Sequence, residues 1–370
     1  MIYLDNAATT MPKPDTVYEA VNTAMRTCAS LGRSGHPAAM EAARIAYECR
    51  TLAASLFETQ PERVIFTLNA THGLNIAIKS LVSAGDSVVI SGFEHNAVLR
   101  PLYHMGADIA VAGSRLFDPE DTVCAFRKSI TSNTKAVVCT HVSNVFGYIL
   151  PVEEIAALCA EREVPLILDA AQSAGCLQLS MEALHAAFVA MPGHKGLYGP
   201  QGTGLLLCGQ MPKSLIEGGT GSQSAVPEMP DFLPDAVEAG THNIPGIAGL
   251  LEGMRYIQNR GMKAILQHEQ HLLEFLNKYM QMLPGIKCFY AGNAVQAGVL
   301  SFSVLQEDCE QTAAKLAEAG FAVRAGLHCA PLAHQSAGTQ NTGTVRVSLS
   351  DFNTEEDIQK LAETLSKICG

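Results

Sequence analysis

The sequence predicts an α/β fold, with a large domain on a mostly parallel sheet and a smaller C-terminal α+β domain. Three observations carry this expectation. Over the first two-thirds of the chain, short apolar, β-branched runs alternate with helical stretches, the pattern of a sheet covered on both faces. Hydrophobic residues make up 48% of the 370 and charged residues only 16%, so a sizeable core is expected and disorder is not. Beyond about residue 248 the texture shifts to a long helical stretch followed by short strands and helices. A boundary is therefore expected between 240 and 255, dividing the chain into 15–250 and 251–370. Segment 1–14 is a candidate to pack on the second unit.

The elements follow in order. R-V-I-F-T (63–67) reads as a strand before a helix that starts near Gly73. D-S-V-V-I-S (86–91) leads to G-F-E-H-N-A, K-A-V-V-C-T (135–140) to H-V-S-N-V-F-G, and V-P-L-I-L-D (164–169) to A-A-Q-S-A-G. Ligands of such sheets bind outside the carboxyl ends of the strands. Thr71, His72, His95, Asn144, Asp169 and Gln172 lie just there. The later helical stretch, interrupted at Gly261, runs to Pro284-Gly285. G-V-L-S-F-S-V (298–304), a helix around 308–319, R-A-G-L-H-C-A-P-L (324–332) and T-V-R-V-S-L-S (344–350) come next. In the last helix Ile358, Leu361, Leu365 and Ile368 share one face.

Composition excludes several function classes. A formal net charge of −11 argues against a nucleic-acid partner, which needs a basic face. The N-terminus lacks a basic stretch followed by an apolar one, and no apolar run approaches the roughly 18 residues of a membrane span. The 11 cysteines are scattered, with no C-x-x-C pair, so neither a disulfide framework nor a metal site is indicated. A cytoplasmic location is expected, with most thiols acting as small core residues. Cys329 differs in following a histidine within a Gly- and Pro-rich segment.

M-P-G-H-K-G-L-Y-G-P-Q-G-T-G (191–204) surrounds Lys195 with glycines, which permit tight turns and close backbone approach. Asp169 precedes it by about one helix-and-strand return. Taken singly, a strand-end Asp is usually a helix cap and a Gly-flanked Lys a surface residue. Together they match the needs of pyridoxal phosphate: a lysine for the Schiff base and a carboxylate that keeps the pyridine nitrogen protonated. N-A-T-H-G-L-N (69–75) could offer Thr71 and backbone N–H groups to the phosphate at a helix N-terminus.

Y-L-D-N-A-A-T-T at the start, D-A-A-Q (169–172), G-H-K (193–195), E-A-G-T-H-N (238–243) and R-A-G-L-H-C-A (324–330) resemble class V aminotransferase-fold enzymes. The likeness is to their cysteine desulfurase and selenocysteine lyase branch, and it spans nearly the whole chain in order. It implies the type I fold of pyridoxal-phosphate-dependent transferases, with Lys195 holding the cofactor, Asp169 on the pyridine nitrogen and Gln172 on the ring hydroxyl. It further implies that His95 stacks on the ring and assists proton transfer, and that Asn144 bonds near the ring or substrate. Thr71, His72 and His194 would bind the phosphate. Thr241 would reach the neighbouring subunit of a homodimer, and Arg346 would grip the substrate carboxylate.

The implied reaction converts L-cysteine to L-alanine, leaving sulfur on Cys329 as a persulfide for an acceptor protein, in the manner of group II desulfurases. Selenocysteine lyase, a true class V aminotransferase and a catalytically silent scaffold are the alternatives. The chain departs from the resemblance at Pro192, where relatives commonly carry a hydroxyl, and at His242, where proline is usual. G-G-T-G-S (218–222) could replace the missing donor. G-R-S-G-H (32–36) resembles a substrate-side segment or is a plain turn.

Overall fold

The structure, a computed structural model, describes residues 1–32, 34–292 and 294–369. Strand β1 (Ile2–Tyr3) and helices α1 (Asp15–Thr27) and α2 (Pro37–Leu56) precede the main sheet. Strands then alternate with helices: β2 (Val64–Thr67), α3 (Ala70–Leu81), β3 (Ser87–Ser91), α4 (Asn96–Met105), β4 (Asp108–Ala112) and α5 (Pro119–Ser129). The alternation continues through β5 (Thr134–Thr140), α6 (Val152–Glu161), β6 (Leu166–Asp169), α7 (Met181–Leu184), β7 (Phe188–Pro192) and β8 (Gly204–Cys208).

These strands form a seven-stranded sheet in the order β2-β8-β7-β6-β5-β3-β4. Only β8 runs against its neighbours, so the carboxyl ends of β2, β3, β5, β6 and β7 share one edge. The expected mostly parallel α/β sheet is thus present. Its two faces are covered by separate apolar clusters, one including Val89, Val137 and Leu168, the other Val88, Val138 and Ile167. Consecutive residues of one strand feed opposite clusters, which is why these strands read as continuous apolar runs. β4 lies outside the strands read from the sequence. As an edge strand it exposes Asp108 and Val111, which breaks the apolar run.

Helices α8 (Ile244–Arg260) and α9 (Met262–Met280) meet at Gly261, whose φ of 85° ends the first of them. There follow β9 (Ile286–Phe289), β10 (Val299–Val304), α10 (Cys309–Glu318), β11 (Phe321–Ala322), β12 (Arg324–Gly326), α11 (Pro331–Ala337), β13 (Thr344–Ser348) and α12 (Glu355–Cys369). Four of these strands make an antiparallel sheet, β12-β13-β10-β9. Ile358, Leu361 and Leu365 of α12 are fully buried in its core. The N-terminal strand β1 pairs in parallel with β11, and Asp5 bridges to Ser348. Among the described residues no helix is long and apolar enough to cross a membrane.

Candidate active site

The shared strand edge assembles the site. Asp169 ends β6 and is 3% exposed, its Oδ1 accepting a hydrogen bond from the Ala171 N–H at 2.9 Å. Burial pushes its carboxyl above the usual range, while the nearby Lys195 charge opposes the shift. Lys195 follows β7 in a loop closed on itself, with Tyr198 N–H donating to Lys195 O at 2.8 Å and Gly199 N–H to Gly193 O at 2.7 Å. The loop rests on other backbone. A Cβ at Gly196 would stand 2.3 Å from Ala174 O, and one at Gly253 of α8 would stand 2.2 Å from Leu197 O. Desolvation pulls the Lys195 ammonium down to about 8; Asp169 works against this, and Arg346 and Arg324 add to it.

The N-terminal segment straps this loop from the other side. Thr10 N–H donates to His194 O at 3.0 Å and the Thr10 hydroxyl to Lys195 O at 2.9 Å. Gln172 spends its amide Nε2 on Ala7 O at 3.0 Å. Behind the strap is a small cavity whose lining includes Lys195, Gln172, Ser350 and Glu269. Glu269 is 8% exposed, and burial pushes its carboxyl up to about 8, with Asp351 adding to the shift.

His95 caps α4, its Nδ1 accepting from the Ala97 N–H at 3.0 Å. That bond fixes the neutral ring as the Nε2–H tautomer. Burial, then the charges of Lys195, Arg324 and Arg100, hold it at about 4. His95 therefore presents a neutral ring face and an Nε2–H donor. Its neighbour Glu94 is fully buried, with Oε1 accepting from Ser91 Oγ and from Thr140 N–H at 2.7 Å. Glu94 Oε2 has no partner, and burial pushes the carboxyl up to about 8.

Three residues were expected at a phosphate. Thr71 lies in the first turn of α3 and lines an open basin with His95 and Cys329. His72 turns the other way: its Nδ1 accepts from Leu68 N–H at 3.2 Å, and its ring lines a second cleft with Thr241. The His194 Nδ1 is buried without a partner. Thr241 belongs to a loop pinned by Glu238, which takes Arg50 Nη2 at 2.5 Å, Phe66 N–H at 2.6 Å and the His242 ring at 2.6 Å. His242 thus anchors the Thr241 loop through a side-chain bond that a proline could not make. The Thr220 and Ser222 hydroxyls are 3.0 Å apart and Ser222 bonds Asp235, so this pair is already engaged near a carboxylate. Pro192 is buried at the end of β7. His36 caps α2 through the Ala39 N–H, and Arg33 lies outside the described residues.

Cys329 sits between β12 and α11. His328 and Cys329 both adopt left-handed backbone, with φ of 49° and 58°. Asn144 Nδ2 donates to His328 O at 2.8 Å, and Asn96 N–H donates to Cys329 O at 2.8 Å. Two consecutive carbonyls are thus held, and the thiol side chain stays exposed. Arg346, 2% exposed on β13, donates Nη1 to Asn144 O at 2.9 Å and Nη2 to Asp5 Oδ1 at 2.6 Å. Its Nε has no partner. The Asn144 amide was expected at the ring or substrate; here its Nδ2 is spent on the thiol loop.

Glu94, Asp5 and Arg324 were not among the residues singled out from sequence. Asp5 and Arg324 lie inside quoted motifs, and Glu94 stands directly before His95.

The class-V aminotransferase family model matches residues 2–361 of the chain. A probable cysteine desulfurase of Methanothermobacter thermautotrophicus is 34% identical over 388 residues, covering 100% of this chain and 95% of the relative. A probable cysteine desulfurase of Xylella fastidiosa is 31% identical, covering 100% and 91%. Among solved structures, the apo cysteine desulfurase of Thermococcus onnurineus NA1 superposes with a TM-score of 0.91 at 29% identity, covering 100% of this chain and 94% of that one. The cysteine desulfurase CsdA of Escherichia coli shares the fold, with a TM-score of 0.86 at 24% identity over 99% and 94% of the two chains.

Proposed function

The chain belongs to the class-V aminotransferase family, and from that premise we propose that it is a pyridoxal-phosphate-dependent cysteine desulfurase that keeps the released sulfur on Cys329. The observation that carries this is the coupling of thiol and guanidinium through one residue. Asn144 holds the Cys329 loop by its side chain and Arg346 by its carbonyl. A substrate carboxylate on Arg346 and a nucleophile on Cys329 therefore keep a set spacing.

The residues fit the cofactor. Asp169 is a buried carboxylate with no cationic partner within hydrogen-bonding distance among the described residues, so a protonated ring nitrogen would restore its ordinary ionisation. His95 offers a neutral ring to stack, and Thr71 a hydroxyl in the first turn of a helix. Lys195 would hold the aldehyde, and the bound ring would supply an electron sink for charge developing at the substrate Cα.

The chain's own groups do the rest. Arg346 offers its unpartnered Nε–H, next to an Nη2 now held by Asp5, as a two-point grip for a carboxylate. Lys195, held near 8, is partly unprotonated around neutrality and can take the Cα proton. The Cys329 thiolate attacks the substrate sulfur. An S–S bond forms, the Cβ–S bond breaks with its electron pair passing to carbon, and protonation there gives alanine.

Thr241 lies on an outer loop lining a cleft with His72, which supports a homodimer in which it reaches the partner's phosphate. The ten described cysteines are all free, which fits a reducing compartment such as the cytoplasm.

The test is turnover of L-cysteine by the holoenzyme with a reductant, following alanine and sulfide. Cys329→Ser should lower the rate by about 100-fold or more while leaving the cofactor spectrum intact. Equal turnover by parent and variant overturns the persulfide role. A variant that loses cysteine turnover but still processes selenocysteine would identify a selenocysteine lyase instead.

A further inference from the structure

The basin holding Cys329 continues as a groove between two helices that both start at the site. One wall is the Thr71–Asn75–Lys79 stripe of α3, and the other the Asn96–Arg100–His104 stripe of α4. Each stripe repeats at four-residue intervals, so its members stand one above another on one helix face. The groove holds about 340 Å³. Its head carries the thiol, its middle Arg100, and its far end Lys79 and the His104 imidazole.

No carboxylate lines this groove among the described residues, and neither Lys79 nor Arg100 makes an ion pair. In a chain of net charge −11, an unpaired cationic trough leading to the exposed Cys329 thiol is a selective feature. A phosphate at Thr71 would leave Lys79 unneutralised, because Lys79 is eight residues further along the helix, about 12 Å away at 1.5 Å per residue. That separation exceeds the roughly 10 Å screening length at 0.1 M salt.

We propose that this groove docks an acidic, thiol-bearing segment of an acceptor protein. Its cysteine would meet Cys329 at the head while its carboxylates pair with Lys79 and Arg100. An extended strand covers about 3.3 Å per residue, so the carboxylates should lie three to four residues from the acceptor cysteine. The proposal rests on the persulfide reading for what is transferred: the acceptor thiolate attacks the outer sulfur of the Cys329 persulfide, the S–S bond breaks, and Cys329 leaves as thiolate while the acceptor becomes the persulfide. No further oxidant or reductant is needed.

The test uses three synthetic peptides with one cysteine followed, at the third and fourth positions, by Glu-Glu, Gln-Gln or Lys-Lys. In the first assay each peptide, activated as its thionitrobenzoate disulfide, exchanges with Cys329 of the holoenzyme, and the labelled site is read by mass spectrometry. This assay requires no desulfurase activity. The second assay follows sulfur from cysteine-loaded enzyme to the free peptides.

The acidic peptide should react about tenfold faster than the basic one at low salt. The gap should close near 1 M salt, where screening shortens to about 3 Å. The double variant Lys79→Glu/Arg100→Glu should reverse the order, and the exposed Cys124 should show no such order in either protein. An unchanged order in the variant, or an equal order at Cys124, overturns the proposal. Mercaptosuccinate matching the acidic peptide overturns the choice of a protein segment in favour of a free anionic thiol. Charge-ordered exchange without sulfur transfer sustains the groove and sinks the persulfide reading; sulfur transfer without charge order does the reverse.

Discussion

The segment carrying Lys195 is held from behind by backbone packed on backbone, whereas the segment carrying Cys329 is held from its sides by two asparagines. At Lys195 the glycines let α8 and the 174–175 turn come within contact of the loop, and the amine is tuned by desolvation. At Cys329 the loop bends through two left-handed residues and leaves the sulfur in the open. A group that must hold a cofactor and exchange protons gains from a rigid, dry bed. One that must receive an atom and pass it on gains from exposure with its carbonyls fixed. Close packing makes the first region intolerant of added volume, and anchoring makes the second sensitive to lost hydrogen bonds.

The largest expected effect breaks the first region outright. Lys195→Ala should lower alanine formation by about 1,000-fold or more, with loss of the borohydride-sensitive cofactor linkage. Gly196→Ala tests packing without touching the amine. Its added carbon would strike the Ala174 carbonyl, and a shift of about 1 Å in Lys195 should cost about 100-fold in kcat. A variant with parent kinetics would show that the bed yields.

Asn144→Ala addresses the second region. It should slow cysteine turnover by about 10- to 100-fold while the cofactor spectrum stays unchanged, because the His328 carbonyl loses its donor and the loop drifts. Loss of the spectrum would mean that the two regions are not separable. The smallest effect lies behind the lysine. Glu269, raised to about 8, binds a proton in the folded chain that the unfolded chain releases near 4.5. Its contribution is complete below pH 4.5 and is lost as pH rises through 8. Glu269→Gln, which cannot ionise, should raise Tm by a few degrees at pH 8 and by little at pH 5, read by thermal melts of the holoenzyme.

The parallel strands were legible because each feeds both faces of the sheet and so reads as an unbroken apolar run. Lys195, Asp169 and Cys329 stood out because glycines, a strand end and a preceding histidine mark them locally. What could not be read locally is pairing across the chain. Asp5 meets Arg346 across 341 positions, and no nearby pattern announces it. Asn144 was legible as a strand-end polar residue, but its job was not, since its partner carbonyl lies 184 positions away. Lys79 and Arg100 look like ordinary helix-surface cations until α3 and α4 are seen to share a groove.

The pairing of β1 with β11, and of Asp5 with Arg346, also sets an order of events during synthesis. Residues 2–5 are made long before their partners at 321–322 and 346, so the strap over His194 and Lys195 gains its anchor late. The seven-stranded sheet ends at residue 208 and can form much earlier. A nascent chain therefore carries a formed sheet with an unfinished centre until β13 has been made.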